Sequence, residues 1–323
     1  MAIEFNHETN DIVNSTGQVK FNGTAVGGDN SPVWYGSMGV FAGGYDASFD
    51  YNTIDYIAIA STGNATDFGN LFVARNGIGS CSNGSRGVFG SGNPEGGNDT
   101  NVIDYITIAS TGNATDFGDL TRNTRYLAAC SDSSRGVFGG GLGGGSDTID
   151  YITISTTGNA TDFGDLTVGR HSLAASSNGS RGVFGGGHDG SSASDVIDYI
   201  TIASTGNATD FGNLTIAKTG LQCGCSSGDG RGIFAGGNYS PISNVIDYIT
   251  ISTTGNATDF GDLTVARNNA SASSNGTRGV FGGGNDGSHS NVIDYITIST
   301  TGDATDFGNL TIARTATGAC SGT

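Results

Sequence analysis

Few residues in this chain could transfer protons, attack a substrate or hold a metal, and they are scattered. Histidine occurs as His7, His171, His188 and His289. Of these, only His171 and His188 are placed to share a face, too small a set for a zinc or copper centre. The five cysteines, Cys81, Cys130, Cys223, Cys225 and Cys320, form no His/Cys cluster at ligand spacing. Glycine runs are frequent, but each follows a strand-like segment; none ends in Lys-Ser or Lys-Thr and opens a helix, as a phosphate cradle must. One aspartate recurs as Asp67, Asp116, Asp162, Asp210, Asp259 and Asp306. General acid/base catalysis needs two carboxylates in unlike environments, so equal repetition points instead to turn hydrogen bonding, with six equivalent calcium sites as the other use such a set allows. The expectation is a protein that is not an enzyme, with no cofactor and no metal.

That repetition organises the chain. Ile-Asp-Tyr begins at Ile54, Ile103, Ile149, Ile197, Ile246 and Ile293, at spacings of 46 to 49 residues. Ala-Thr-Asp-Phe-Gly keeps step from Ala65 to Ala304, and so does an apolar pair ending in Phe41, Phe89, Phe138, Phe184, Phe234 and Phe281. Each copy holds short runs rich in Val, Ile, Thr, Tyr and Phe between Gly, Asn, Asp and Ser clusters, and none at helical spacing long enough for three turns. In the last copy the strands are expected at Ala270–Ser274, Gly279–Gly282, Val292–Ser299 and Phe307–Ala313. The links at 275–277, 283–290 and 300–303 carry good turn chemistry. Four antiparallel strands in a unit of this length make one blade of a β-propeller, and six such units close a ring. The fold class is therefore all-β: a six-bladed propeller over residues 31–323, preceded by a short arm at 1–30. The tail Ala313–Thr323 spells an outer-strand exit and an inner strand, then stops where Met38–Gly44 resumes the repeat. A blade shared between the two ends would leave no free sheet edge.

Composition narrows the partners. A formal charge of −17, with lysine only at Lys20 and Lys218, argues against nucleic acid and anionic membrane surfaces. No apolar run approaches the roughly eighteen residues a membrane span requires, and Met1–His7 lacks the basic start and apolar centre of a signal peptide. The 57 glycines recur at fixed places in the copies and so mark turns and close approaches, not disorder. Cys81, Cys130, Cys225 and Cys320 occupy the inner-strand place that other copies fill with Ser176 or Ser273, and read as small buried fillers. Arg86, Arg135, Arg181, Arg231 and Arg278 precede the second strand's glycine and are expected to meet a carboxylate or strand-end carbonyls. The Asn-Ala-Thr sequons have no secretory context.

Variation between copies is lopsided. The turns after the first and third strands scarcely change. The link after the second strand differs in every copy, and so does the residue after the fourth: Asn76, Tyr126, His171, Thr219, Asn268, Thr315. In an up-down blade both links emerge at one end, so one face of the disc is diverse and the other uniform. The diverse face supplies the candidate binding residues: Tyr45, Asp46, Phe49, Tyr51, Asn93, Tyr126, His171, His188, Tyr239, Asn268, Asn285 and His289. The first copy is the odd one, with Met38 in place of arginine and the lone tryptophan, Trp34, beside Tyr35. Ahead of it the arm alternates at Ile12-Val13 and Gln18–Phe21 with a turn candidate at Asn22-Gly23, as a hairpin or extended arm would. Such an arm suits attachment to another subunit or a larger assembly, a homo-oligomer included.

Val183-Phe184-Gly185-Gly186, Tyr199, Phe211 and the basic exit residue Lys218 or Arg267 resemble kelch-type propeller repeats, with Phe where that family places Trp and a longer gap between Tyr199 and Phe211. The resemblance covers about residues 31–323 and implies a kelch-like ring. The leader Phe5–Ile12 and the phrase Ser-Thr-Gly-Asn-Ala-Thr-Asp-Phe-Gly-Asp-Leu-Thr are also similar to virion proteins of tailed phages of marine bacteria, tail-fibre or appendage proteins especially. That similarity implies a place on the outside of a phage particle. The arm at 1–30 would contact other virion proteins, and the variable loops would recognise a host-surface glycan or protein. The alternative is a capsid or tail decoration or assembly subunit with no receptor-binding role.

Overall fold

The computed structural model describes residues 4–6, 11–13, 20–21, 24–25, 36–143, 146–221, 224–226, 230–238 and 240–322. The chain divides into two compact units, Met1–Pro32 and Val33–Thr323. In the first, Glu4–Asn6 pairs antiparallel with Asp11–Val13, and Lys20–Phe21 with Thr24–Ala25. Trp34, Tyr35, Cys223 and Tyr239 lie outside the described residues.

The second unit is a six-bladed β-propeller: six antiparallel sheets of four strands, and no helix among the described residues. Blade 1 is the shared one. Its inner strand is the tail Gly318–Gly322, which pairs with Met38–Ala42 in the register Gly318↔Ala42, Cys320↔Val40 and Gly322↔Met38. Thr53–Ala58 and Thr66–Asn70 complete the sheet. Blade 2 runs from Gly79 to Thr124, blade 3 from Ala128 to Asp165, blade 4 from Ala174 to Asn213, blade 5 from Gly224 to Asp262 and blade 6 from Ser271 to Asn309.

Small inner strands surround the axis, as the crowding of six sheets at a centre requires. Serines tie neighbouring inner strands together: Ser80 Oγ donates to Ala319 O at 2.8 Å, Ser131 to Ser82 O at 2.7 Å and Ser177 to Ser131 O at 2.8 Å. Cys81, Cys130 and Cys320 are free and buried, and Cys225 is buried. Burial holds the Cys320 thiol up to about 12 and raises Cys81 and Cys130 as well, so these are inert thiols. Each sulfur lies over the glycine that opens the next blade's second strand. A Cβ on Gly136 would stand 2.6 Å from Cys81 Sγ, and one on Gly182 2.5 Å from Cys130 Sγ.

Blades join through apolar layers. Val137, Ile149 and Phe163 of blade 3 pack with Phe184, Ile200 and Ile202 of blade 4, and the pattern repeats at the closing seam, where Val280, Ile293 and Phe307 meet Phe41, Ile57 and Ile59. Each fully buried Phe or Ile of this kind contributes about 1.5–3 kcal/mol. At the rim the Thr-Gly-Asn-Ala turn of one blade zips onto the outer strand of the blade before it. Gly158 N donates to Phe117 O and Ala160 N to Asp119 O, while Asn159 Oδ1 accepts from Asp119 N. Gly118 must be glycine there: its φ is +143°, and a Cβ would sit 2.5 Å from Gly158 O. The six outer aspartates from Asp67 to Asp306 were expected to make these turn bonds. They sit exposed in the outer strands instead, and the asparagine of the neighbouring blade's turn, or Asp303 in blade 6, reaches the backbone. The side chain that spans the seam comes from the turn.

The arginines before the second-strand glycine meet carbonyls, of the two partners expected. Arg86 donates to Ile154 O at 3.1 Å and Arg278 to Ile59 O at 3.0 Å, each on the next blade, while the guanidinium lies over its own blade's Tyr105 or Tyr295.

The outer strand begins and ends earlier than the sequence suggests: in blade 6 it is Thr305–Asn309, not Phe307–Ala313. A register shift between Ile293 and Asp294 bends the pair, Leu310 N turns to Asn291 O, and the next residues are drawn to the neighbouring blade. Thr311 Oγ1 donates to Asp55 Oδ1 at 2.6 Å, and Arg314 Nη2 lies 3.0 Å from Asp55 Oδ2. The same ion pair recurs as Arg75–Asp104, Arg170–Asp198, Lys218–Asp247 and Arg267–Asp294, at 2.5 to 3.0 Å with both side chains fully buried. Burial lowers the pKa of Arg170 and of Arg314 against the opposing pull of their aspartates. Blade 2 departs. Thr124 stands where the others have Arg or Lys, the outer strand runs on to Thr124, and Arg122 donates to Gly140 O. Burial there holds the Asp150 carboxyl above its ordinary range, opposed by hydrogen bonds from Thr121 and the charge of Arg122.

Removing one partner of such a pair strands the other charge in a dry seam. Asp198→Ala is expected to lower unfolding stability by about 3–5 kcal/mol, measured by denaturant titration; a loss no larger than that of an exposed aspartate variant such as Asp210→Ala would show that the seam is hydrated.

Candidate functional site

Both variable segments do emerge at one end, and there they are joined. The link between a blade's second and third strands bridges the link that leads out of the previous blade. The six bridges are Tyr45↔Thr315, Asn76↔Asn93, Arg125↔Leu142, His171↔His188, Thr219↔Asn238 and Asn268↔Asn285. They are held by backbone hydrogen bonds, reciprocal for example at His171 N to His188 O, 3.1 Å, and His188 N to His171 O, 2.9 Å. The backbone pairing recurs at every bridge while the side chains change, so the end of the disc carries five kinds of residue pair on a common frame, Asn–Asn occurring twice.

Immediately inside the bridges, the residues Gly77, Tyr126, Ser172, Gly220, Asn269 and Ala316 all have left-handed backbones, with φ between 50° and 70°. They close a circle of backbone hydrogen bonds. Gly77 N donates to Ala316 O, Ala316 N to Asn269 O and Asn269 N to Gly220 O; Leu221 N donates to Ser172 O, Ser172 N to Tyr126 O and Tyr126 N to Gly77 O. A non-glycine residue in this conformation costs of order 1–3 kcal/mol and persists only where its surroundings over-determine it. The circle supplies that.

Most candidate residues therefore meet on one annulus. Tyr45, Asn93, His171, His188, Asn268 and Asn285 are bridge residues. His289 comes back from the blade 6 loop edge-on against Tyr45, with ring centroids 5.2 Å apart, and its buried Nε2 has no hydrogen-bond partner. His171 and His188 stack at 5.2 Å. Asp46 and Tyr51 close the blade 1 loop, Tyr51 Oη donating to Asp46 Oδ2 at 2.6 Å. That bond, with those from the Ser48 and Phe49 amides, lowers the Asp46 pKa. Phe49 is exposed. Tyr126 needs a correction of register: Arg125 takes the bridge position in blade 2, and Tyr126 is the next residue inward, its hydroxyl 3.4 Å from Asn76 Oδ1. The longer outer strand of blade 2 hides this in the sequence.

The interblade aspartates Asp55, Asp104, Asp150, Asp198, Asp247 and Asp294, which anchor these links, are not singled out by the sequence reading. Their signal is present in Ile-Asp-Tyr, where a lone carboxylate recurs between residues that must be buried. Phe72 is missed as well, although every other copy has threonine there. Among the described residues no group of three or more His, Cys, Asp or Glu side chains gathers as a metal site would. The annulus offers amides, phenols, imidazoles and carboxylates around a rigid rim, a chemistry of hydrogen bonding and ring contact.

No protein-family model matches this chain, and no curated protein matches it. What the chain does is therefore read from its own geometry.

His171 makes one property of this end testable. Burial, His188 and Arg125 all lower its pKa from the ordinary 6.5. A histidine whose folded pKa is depressed contributes stability above its unfolded pKa, and that contribution is lost as pH falls through the folded value. The melting temperature is expected to fall as pH drops from 7.5 to below 6.5, and His171→Asn to remove part of that dependence. An identical pH profile for the variant would contradict the assignment.

Proposed function

We propose that the ring is a non-enzymatic recognition module on the exterior of a phage particle, a tail-fibre or appendage protein that binds a host-surface glycan or protein through its variable end. One observation carries this reading: the ring is polar along its axis. The six bridges lie at one end, while Met38 and Gly322 lie at the other, where Ser37 O accepts from Ile59 N and Gly322 bridges Gly84. Within the ring, the residues that differ are gathered at one end and the repeated turns at the other. The similarity of the leader and of the repeated phrase to phage appendage proteins supports the location. Tyr, Asn, His and Asp on a shallow rim suit hydroxyl-rich ligands, by ring stacking and hydrogen bonds. The competing reading, a decoration or assembly subunit, draws on the uniform end, whose six repeated polar turns would suit a symmetric neighbour.

Fluorescently labelled full-length protein is expected to coat host cells, and the combined Tyr45→Ala, His188→Ala, Asn285→Ala variant to lose binding by about tenfold or more with its fold retained by circular dichroism. Undiminished coating by a folded variant would remove the variable end from recognition. Deletion of residues 1–30 is expected to preserve cell binding and abolish incorporation into particles, as scored by immunogold labelling; loss of cell binding by a folded ring would place recognition in the arm instead.

A further inference from the structure

Phe72 occupies a position that the fold assigns to threonine. In the other copies, Thr121, Thr167, Thr215, Thr264 and Thr311 donate their hydroxyls to the buried aspartate of the next blade, Asp150, Asp198, Asp247, Asp294 and Asp55. Phe72 keeps only the backbone bond, its N donating to Asp104 Oδ2 at 3.2 Å. Asp104 Oδ1 is buried with no hydrogen-bond partner. A buried acceptor left unsatisfied is destabilising. Packing offers no compensation, since the Phe72 side chain is 69% exposed.

The same blade carries the other exposed phenylalanine among the described residues, Phe49, at 61%, and exposed Val73 next to Phe72. The two stretches run side by side: Leu71 N donates to Asn52 O and Arg75 N to Tyr51 O, while Asn76 Nδ2 donates to Asp50 Oδ1 at 2.7 Å. Asp46 and Asp50 flank Phe49 in the blade 1 loop, and the charge of Glu95 in the neighbouring loop reaches Asp50. Exposed aromatic faces beside hydrogen-bond-accepting carboxylates match a sugar ring, which has an apolar C–H face and donating hydroxyls around its edge. The carboxylates of Asp46, Asp50 and Glu95 repel uronic and sialic acids. Building on the recognition reading above, we propose that Phe72 and Phe49 form a stacking platform for a neutral pyranose, with Asp50 accepting from its hydroxyls.

The substitution Phe72→Thr separates platform from scaffold because it restores the residue the fold prefers. In the full-length chain it is expected to raise the melting temperature by roughly 2 °C, as Asp104 Oδ1 regains a donor. Binding of mannan-, galactan- or glucan-derived hexasaccharides, whichever the unaltered protein takes in saturation-transfer NMR and calorimetry, is expected to weaken by about tenfold. Phe72→Tyr should keep the affinity, and an alginate hexasaccharide should bind to neither. A stabilised Phe72→Thr with undiminished affinity overturns the platform but leaves recognition by the rest of the annulus standing. Binding of none of the neutral saccharides by the unaltered protein overturns it as well. So does concentration-dependent self-association in sedimentation that Phe72→Thr abolishes, which would make the patch an interface between copies. An unchanged or lowered melting temperature overturns the reading of Asp104.

Discussion

No blade of this ring can neutralise its own central carboxylate. The aspartate of each Ile-Asp-Tyr is fully or almost fully buried, and its donors come from the blade before it: in five seams an arginine or lysine on the outgoing link, and in five seams a threonine hydroxyl. An ion pair in a dry seam adds little net stability over an apolar pair of the same volume. What it does here is fix register, because only one axial setting of the link brings threonine and the basic residue onto the same carboxylate. A blade taken alone would hold a buried charge with no partner, so the blades depend on one another for more than apolar contact.

That dependence explains why the links can vary. Each is pinned near its start by the threonine, the basic residue or, in four seams, both, bridged through its backbone to the neighbouring loop, and followed at once by a left-handed residue in the closed circle of hydrogen bonds. The bridging bonds are made chiefly by the backbone, with Asn76 Nδ2 adding a bond to Asn93 O. The bridge side chains are thus not what sets the pairing, and their identities change at most seams, Asn–Asn occurring twice. The other end shows the converse. There the turn asparagine and the outer-strand glycine carry the interblade contact through their own atoms, and both recur with little change.

Where a copy breaks its own rule, the departure is informative in proportion to what it costs. Thr124 in place of a basic residue comes with an outer strand that extends and an arginine displaced by two positions, which is a local rearrangement of the seam. Phe72 in place of threonine comes with no rearrangement: the carboxylate stays, the backbone bond stays, and one oxygen goes without a donor. The first departure is absorbed by the fold. The second serves nothing within it.

The sequence by itself determined the number of blades, their all-β character, the closing of the ring by its own tail and the segregation of diversity to one end. Each of these follows from period and alternation, which are properties of residues near one another in the chain. Cys320 opposite Val40 is legible because the tail spells an inner strand and the first copy lacks one. Only the tertiary structure decided which atoms meet across a seam. Arg314 and Asp55 are separated by most of the chain, as are Asn64 and Asn309, and nothing in local pattern says that a residue just past an expected strand leaves its sheet for the next. The end of the outer strand, the bridge register at Arg125 and the unmet oxygen of Asp104 are all consequences of contacts between blades, where distance along the chain carries no information about distance in space.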